Sequence, residues 1–126
     1  MQEDDDPKAN LEVGRYYCLI RGEWAKGLPL LAQSQHPQLQ ELAEADLRGP
    51  TQAADQMELA DGWWELADTN APYRKALRLR GAHWYQQALQ ILPPGLLKIK
   101  AELRLEQMTE EYGDDALAGA SARAMR

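Results

Sequence analysis

The chain has 126 residues, of which 44% are hydrophobic and 27% are charged, and its formal net charge is −6 at pH 7. This length is typical of one domain, and four tryptophans and five tyrosines supply enough apolar surface for a folded core. No stretch approaches the roughly 18 consecutive apolar residues of a membrane-spanning helix, so no membrane contact is expected. The negative charge repels phosphates, which excludes nucleic acid as an expected partner.

The start of the chain is acidic and lacks the pattern of a signal peptide, so the compartment stays undefined, with the cytoplasm as the default. Asp6 followed by Pro7 is typical of a helix opening, because the carboxylate can accept from the first backbone amides. A first helix is predicted from Pro7 to Arg21. A second, shorter helix is predicted from about Glu23, with Pro29 as a distortion inside it.

The rest of the chain predicts four further helices, each bounded by proline or glycine. Their expected ranges are 37–49, 51–68, 72–92 and 96 to between 107 and 111. Thr51 is the expected N-cap of the fourth helix, and His36 is expected either to cap the third helix or to be exposed. No segment alternates in the manner of a β-strand.

These segments predict an all-α fold of about five to six helices in stacked antiparallel hairpins, a short solenoid like those of TPR or Sel1 repeats. The expected domain covers residues 7–111, between an acidic disordered segment, 1–6, and a flexible tail, 112–126. Cys18 lies among apolar residues and is predicted to be a buried structural thiol. The predicted core consists of Leu11, Tyr17, Leu28, Leu42, Trp63, Leu77, Trp84, Leu89 and Leu103.

An internal similarity supports the hairpin prediction. One spacing of an aromatic, a small residue and two leucines occurs twice, as Trp24, Gly27, Leu28, Leu31 and as Tyr85, Ala88, Leu89, Leu92. Small residues let two antiparallel helices approach closely, while an aromatic ring from one fills the groove of the other. One run of residues resembles a degenerate Sel1-type or tetratricopeptide-type hairpin. It consists of Gly62, Trp63 and Trp64, followed by Ala82, Trp84, Tyr85 and Ala88.

A closer resemblance covers about residues 9–104 and is carried by Ala9–Tyr17, Gly22–Ala32, Ala60–Ala67 and Arg80–Leu92. These strings resemble an uncharacterised helical module of large multidomain proteins of planctomycete-type bacteria. Such proteins attach the module to varied neighbours, such as lectin-like or kinase domains. The resemblance therefore implies a connecting or recognition role without an activity of its own. His36 replaces the acidic residue that the module usually has before Pro37, which puts only that helix cap in doubt.

The residues that could carry chemistry are few. Two histidines and one cysteine are too few soft ligands for a zinc or iron site, and the scattered glycines form no phosphate-binding loop. We therefore expect no metal, no cofactor and no enzymatic activity. One row of carboxylates, spaced for a single helix face, could hold a divalent cation or act in acid–base catalysis, although such a row is usually the solvated side of a helix. It consists of Glu58, Asp61, Glu65 and Asp68.

Charge is distributed unevenly along the chain. Residues 1–70 hold 5 basic and 14 acidic side chains, whereas residues 71–126 hold 9 basic and 6 acidic ones. Within 71–105, Glu102 is the single acid among seven basic residues: Arg74, Lys75, Arg78, Arg80, Lys98, Lys100 and Arg104. This basic strip either neutralises the acidic fourth helix internally or faces an external anionic partner.

These features predict a non-catalytic protein-interaction or spacer module, a scaffold part of a larger protein, with a protein segment as its partner. Adjacent Trp63 and Trp64 point about 100° apart on a helix, so one of the two rings is expected to be partly exposed. Together with Arg74 and Arg78 they form the candidate partner-binding surface. The alternative is a helical domain that binds a small ligand or carbohydrate through the same tryptophan pair.

Overall fold

The computed structural model describes residues 6–117, and within this range the chain is helical, without a β-strand. The all-α prediction is confirmed. A π-helical turn, Tyr16–Ile20, follows the first helix, and a short 3₁₀ helix, Ala71–Tyr73, precedes the fifth. The α-helices are α1 (Pro7–Arg15), α2 (Trp24–Leu31), α3 (Pro37–Arg48), α4 (Ala53–Asp68), α5 (Arg74–Leu89) and α6 (Leu96–Tyr112).

The described helices form two compact units, which divide between residues 49 and 50. In the first unit α1 packs on α2 and α2 on α3, and in the second α4 packs on α5 and α5 on α6. Because the connecting segments are short, consecutive packed helices form antiparallel hairpins. The sequence predicts one domain over 7–111, and the contacts group the helices of that range into two units.

The predicted terminal segments lie largely outside the described residues. Residues 1–5 of the expected acidic segment and 118–126 of the expected tail lie outside the described residues. Asp6 is the N-cap of α1, where its Oδ1 accepts from the amides of Lys8 at 3.0 Å and Ala9 at 3.3 Å. The helix opening predicted from Asp6 and Pro7 is confirmed.

The first helix is less regular than predicted. An unbroken α-helix was expected to Arg21, but α1 ends at Arg15 and continues as the π-helical turn. A π turn holds one more residue than an α turn, so neighbouring side chains can face the same side. Cys18 and Leu19 are adjacent and both buried, at 0% and 8% exposure. The predicted burial of Cys18 is thereby confirmed.

Glycine is required where α2 meets this turn. A Cβ placed on Gly27 would lie 2.3 Å from Cys18 Sγ and 2.9 Å from the Gly14 carbonyl oxygen. In the second unit, a Cβ on Gly81 of α5 would lie 3.0 Å from the Ala60 carbonyl oxygen of α4. Both units therefore contain a helix pair that approaches closely at a small residue; Gly27 belongs to the repeated spacing that predicts hairpins, whereas Gly81 does not.

The predicted N-cap is found at the third helix but not at the fourth. His36 caps α3, because its Nδ1 accepts from the Leu39 amide at 3.2 Å. The prediction of Thr51 as the next cap is wrong, since the N-cap of α4 is Gln52, which makes no side-chain capping bond. Instead the Gln56 side chain donates to the Pro50 carbonyl at 2.9 Å and ties this end of the helix to the preceding turn.

Most of the predicted core is buried, and one position is wrong. The side chain of Leu103 is 60% exposed, because it lies on a side of α6 that no other part of the described chain covers. Tyr17, Leu42 and Leu89 are half-buried. The predicted residues that are fully in the core are Leu11, Leu28, Trp63, Leu77 and Trp84.

Candidate functional site

An exposed row of apolar side chains runs along α6. Leu96 is 85% exposed, Ile99 51% and Leu103 60%. Their spacing of three and four residues places them on one side of the helix over two turns, and we call this row the α6 stripe. Ala101 and Met108, on another side of α6, are completely buried. The helix thus has two apolar sides, and only one of them is covered.

Charged side chains flank the α6 stripe on both edges. At 100° per residue, Glu102 and Glu106 lie along one edge, and Lys100 and Arg104 lie along the other. The second pair is engaged inside the unit: Lys100 Nζ is 2.9 Å from Asp61 Oδ2, and Arg104 Nη1 is 3.0 Å from Asp61 Oδ1. These ion pairs fix the rotation of α6 about its axis and therefore the direction in which the stripe faces.

A buried tyrosine completes the polar cluster around Asp61. Tyr85 of α5 is 0% exposed, and its hydroxyl hydrogen-bonds to Asp61 and to the Arg104 guanidinium. Burial, reinforced by the hydrogen bond to the Asp61 carboxylate, raises the pKa of Tyr85 well above its ordinary value. The neutral phenol is therefore the form that the fold favours.

Two guanidinium groups approach the ring of Trp64. The Arg78 guanidinium carbon is 5.0 Å from the ring centroid, and that of Arg104 is 5.3 Å away. Arg78 also pairs with Asp68 at 3.4 Å and Glu111 at 3.1 Å, and its side chain is only 12% exposed. Trp64 is therefore held inside a network that joins α4, α5 and α6, where cation–π contact adds to apolar burial.

The predicted partner-binding surface is not found as predicted. Trp63 is 0% exposed and Trp64 5%, so the expectation that one ring is partly exposed is wrong. The physical reason is that α4 is buried over a wide arc, which covers both directions in which adjacent side chains point. Arg78 does lie beside Trp64, but within the unit, and Arg74 is half-buried.

For three residues of the basic strip, the structure shows ion pairs with the acidic fourth helix, as the internal explanation expects. Arg78 pairs with Asp68, while Lys100 and Arg104 pair with Asp61, so three basic side chains of α5 and α6 meet acids of α4. In the carboxylate row, Glu58 and Glu65 are exposed and face solvent. Among residues 6–117, no group of three or more His, Cys, Asp or Glu side chains is placed to hold a metal ion.

The sequence contained each member of the Asp61 cluster but not their association. Lys100 and Arg104 belong to the predicted basic strip, Asp61 to the carboxylate row, and Tyr85 to the repeated aromatic spacing. What joins them is the rotation of α6 against α4 and α5, which side-chain packing determines and a single helix pattern does not contain. The α6 stripe was missed for the same reason: Leu103 was predicted to be in the core, and no exposed apolar side was predicted for this helix.

Comparison with known proteins gives no relative: no family model, curated protein or solved structure matches this chain. The resemblances to Sel1 or tetratricopeptide hairpins and to the planctomycete-type module stay predictions from the sequence. Nothing in the part of the chain that the structure describes forms a helix with both the length and the apolar character needed to cross a bilayer.

Proposed function

We propose that this chain is a non-catalytic protein-interaction or spacer module that docks an apolar protein segment on the α6 stripe. The observation that carries this proposal is the exposure of Leu96, Ile99 and Leu103 on one side of α6. Single exposed apolar residues are common on folded proteins, whereas a continuous row on one helix marks a contact surface. Positions spaced by three and four residues are the anchors by which helices pack on helices.

The first unit supports the spacer role with a similar feature. Val13 is 43% exposed, Tyr16 45% and Ile20 62%, and these residues are again separated by three and four positions. The first helical segment and α6 thus each present apolar side chains to solvent. A module that connects neighbours in a larger protein needs such a surface toward each of them. The role implied by the resemblance to the planctomycete-type module agrees with this proposal.

The tryptophan pair does not provide a competing function. Binding of a sugar ring or of a small ligand by Trp63 or Trp64 would need an accessible ring face, and both rings are buried. The same burial removes these two residues as anchors for a partner. We therefore locate the interaction on α6 and assign the Trp64 network to the stability of the second unit.

The test replaces Leu96, Ile99 and Leu103 together by glutamine. Because these side chains are already exposed, each change should alter the free energy of unfolding by no more than about 0.5 kcal/mol. Capture of partner proteins from an extract of the source organism should be lost. The matched control is Leu47→Gln, since Leu47 on α3 is exposed to a similar degree, 49%. Capture that survives the triple change but is lost in Leu47→Gln would contradict the proposal.

A further inference from the structure

Helix α6 buries far fewer of its residues than the two helices that it contacts. Eight of the sixteen residues of α4 are buried and seven of the sixteen of α5, but only two of the seventeen of α6, Ala101 and Met108. Because burial of apolar surface is the main favourable contribution to packing, the attachment of α6 gains less from it than the pairing of α4 with α5. Polar contacts therefore supply a larger share of what holds α6 in place.

The charges of α6 are unfavourable for a helix without neighbours. Its first turn holds Lys98 and no acidic residue, and its last turn holds Glu110 and Glu111 and no basic residue. A helix carries partial positive charge at its N-terminus and partial negative charge at its C-terminus, so each end of α6 meets charge of the same sign. Glu102, Glu106 and Glu110 also follow one another at intervals of four residues, a spacing at which like charges repel. Since most helical stability in proteins comes from tertiary packing, α6 depends on docking for its helical structure.

The surface formed by α4 and α5 provides the opposite charges. Asp61 of α4 faces the first half of α6, where its carboxylate oxygens are 2.9 Å from Lys100 Nζ and 3.0 Å from Arg104 Nη1. Arg78 of α5 faces the last turn, where its Nη1 is 3.1 Å from Glu111 Oε2. Docking thus places a negative charge beside the basic half of α6 and a positive charge beside its acidic end. These ion pairs offset in the docked state the repulsion that opposes the helix alone.

The docked helix also covers two aromatic rings. The guanidinium carbon of Arg104 lies 5.3 Å from the ring centroid of Trp64 and 5.7 Å from that of Tyr85, and the same group hydrogen-bonds the Tyr85 hydroxyl. With α6 in place, Trp64 is 5% exposed and Tyr85 0%. Removal of α6 would uncover part of both rings, so the helix is a cover over an aromatic surface of α4 and α5.

We propose that α6 is a releasable cover, which detaches and unfolds as one segment while α4 and α5 stay packed together, and that ionic strength controls its release. The paired side chains of Asp61, Lys100, Arg104, Arg78 and Glu111 are between 12% and 43% exposed, so salt can reach them. Between about 0.1 M and about 1 M salt the screening length falls from about 10 Å to about 3 Å, which is close to the length of these ion pairs. The inference goes beyond the proposed function, because it concerns how the helix that carries the α6 stripe is held and requires no partner.

Amide hydrogen exchange of the full chain, resolved by peptide mass spectrometry at about 0.1 M and about 1 M sodium chloride, tests the release. The amides of α6 are expected to exchange faster than those of α4 and α5 at both salt concentrations. They should accelerate about three- to tenfold at the higher one, because three partly exposed ion pairs weaken. The amides of α4 and α5 in the same sample are the reference and should keep their rates.

Arg104→Gln tests whether the ion pairs are what holds the cover. The substitution removes the pair with Asp61 and the cation–π contact with Trp64, so the amides of α6 should exchange about tenfold faster or more at low salt. The remaining effect of salt should be smaller than in the wild type. Glu106→Gln is the matched control, since Glu106 is exposed on the same helix, and it should not accelerate exchange. The wild-type salt series keeps the proposal testable if Arg104→Gln does not fold.

Three results would overturn the inference: amides of α6 as protected as those of α4 and α5, α6 rates that salt leaves unchanged, or equal acceleration by Arg104→Gln and Glu106→Gln. Amides of α4 and α5 that accelerate together with those of α6 would contradict it as well, because the cover would then not be released separately. Failure of the proposed function is read from a different measurement, the capture of partner proteins by the glutamine variant.

Discussion

The Asp61 carboxylate links α4 to both neighbouring helices of the second unit through ion pairs and a hydrogen bond. It binds Lys100 and Arg104 of α6 and accepts from the Tyr85 hydroxyl of α5, so one side chain of α4 contacts both neighbouring helices. Tyr85 is buried, so without this acceptor its hydroxyl would be a buried hydrogen-bond donor with no partner, which is costly. Loss of the carboxylate would leave a buried donor and two partly buried cations without their acceptor.

Asp61→Asn is therefore expected to lower the free energy of unfolding by about 1–3 kcal/mol, the usual cost of leaving buried polar groups unsatisfied. The measurement is urea denaturation followed by tryptophan fluorescence. Glu58→Gln, one turn earlier on the exposed side of α4, is the control and should change stability by less than about 0.5 kcal/mol. Equal effects of the two substitutions would show that the Asp61 contacts contribute no stability.

The raised pKa of Tyr85 predicts a loss of stability in alkali. Below pH 10.0, the ordinary pKa of tyrosine, the phenol is neutral in both the folded and the unfolded chain. Above it, the unfolded phenol ionises while burial keeps the folded one neutral, so the equilibrium shifts toward unfolding. The free energy of unfolding of the wild type should fall more steeply above pH 10 than that of Tyr85→Phe. Parallel curves for the two proteins would contradict this assignment.

At the scale of single elements, α3 offers a direct test of capping. His36 uses Nδ1 as the acceptor for the Leu39 amide, whereas carboxylates are stronger acceptors at this position and also favour the positive helix end. His36→Asp should raise the free energy of unfolding by about 0.5–1 kcal/mol, and His36→Ala should lower it by a similar amount. Thermal unfolding at neutral pH measures both. A destabilising aspartate would indicate that the imidazole makes a packing contribution larger than its cap.

The elements also show what the sequence can predict. Apolar periodicity together with proline and glycine boundaries predicted the positions of the α-helices, because these signals act within one segment. The π turn was missed, because it is defined by how Cys18 and Leu19 both reach the interior against Gly27. Thr51 was expected to cap α4 from residue preference alone, and the side chain of Gln56 bonds the preceding turn instead.

The sequence predicted less of the candidate site than of the helices. Leu103 was predicted to be in the core, because apolar spacing indicates a buried side. On α6 the spacing fits two sides, and only packing decides that Ala101 and Met108 are the covered ones. For the tryptophan pair the error was the reverse: one ring was predicted to be exposed, and both are buried. The geometry of a single helix does not show how wide an arc of α4 the neighbouring helices cover.

At the scale of the whole molecule, the division into two compact units predicts that local damage stays local. Gly27→Ala forces a Cβ into contact with Cys18 and should cost the first unit about 1–3 kcal/mol. Gly81→Ala does the same in the second unit, where its Cβ meets the Ala60 carbonyl. Amide hydrogen exchange should accelerate in α1 and α2 for the first variant and in α4 and α5 for the second. Equal acceleration throughout either variant would mean that the units open together.

The complete burial of Cys18 has a practical consequence for studying this molecule. A thiol without access to solvent reacts slowly with maleimides, so the native chain is chemically silent toward thiol-directed labels. One cysteine introduced on the surface of each unit would then carry a pair of spin labels or dyes without removal of the native residue. Distances between such labels would report the separation of the two units in solution and its spread.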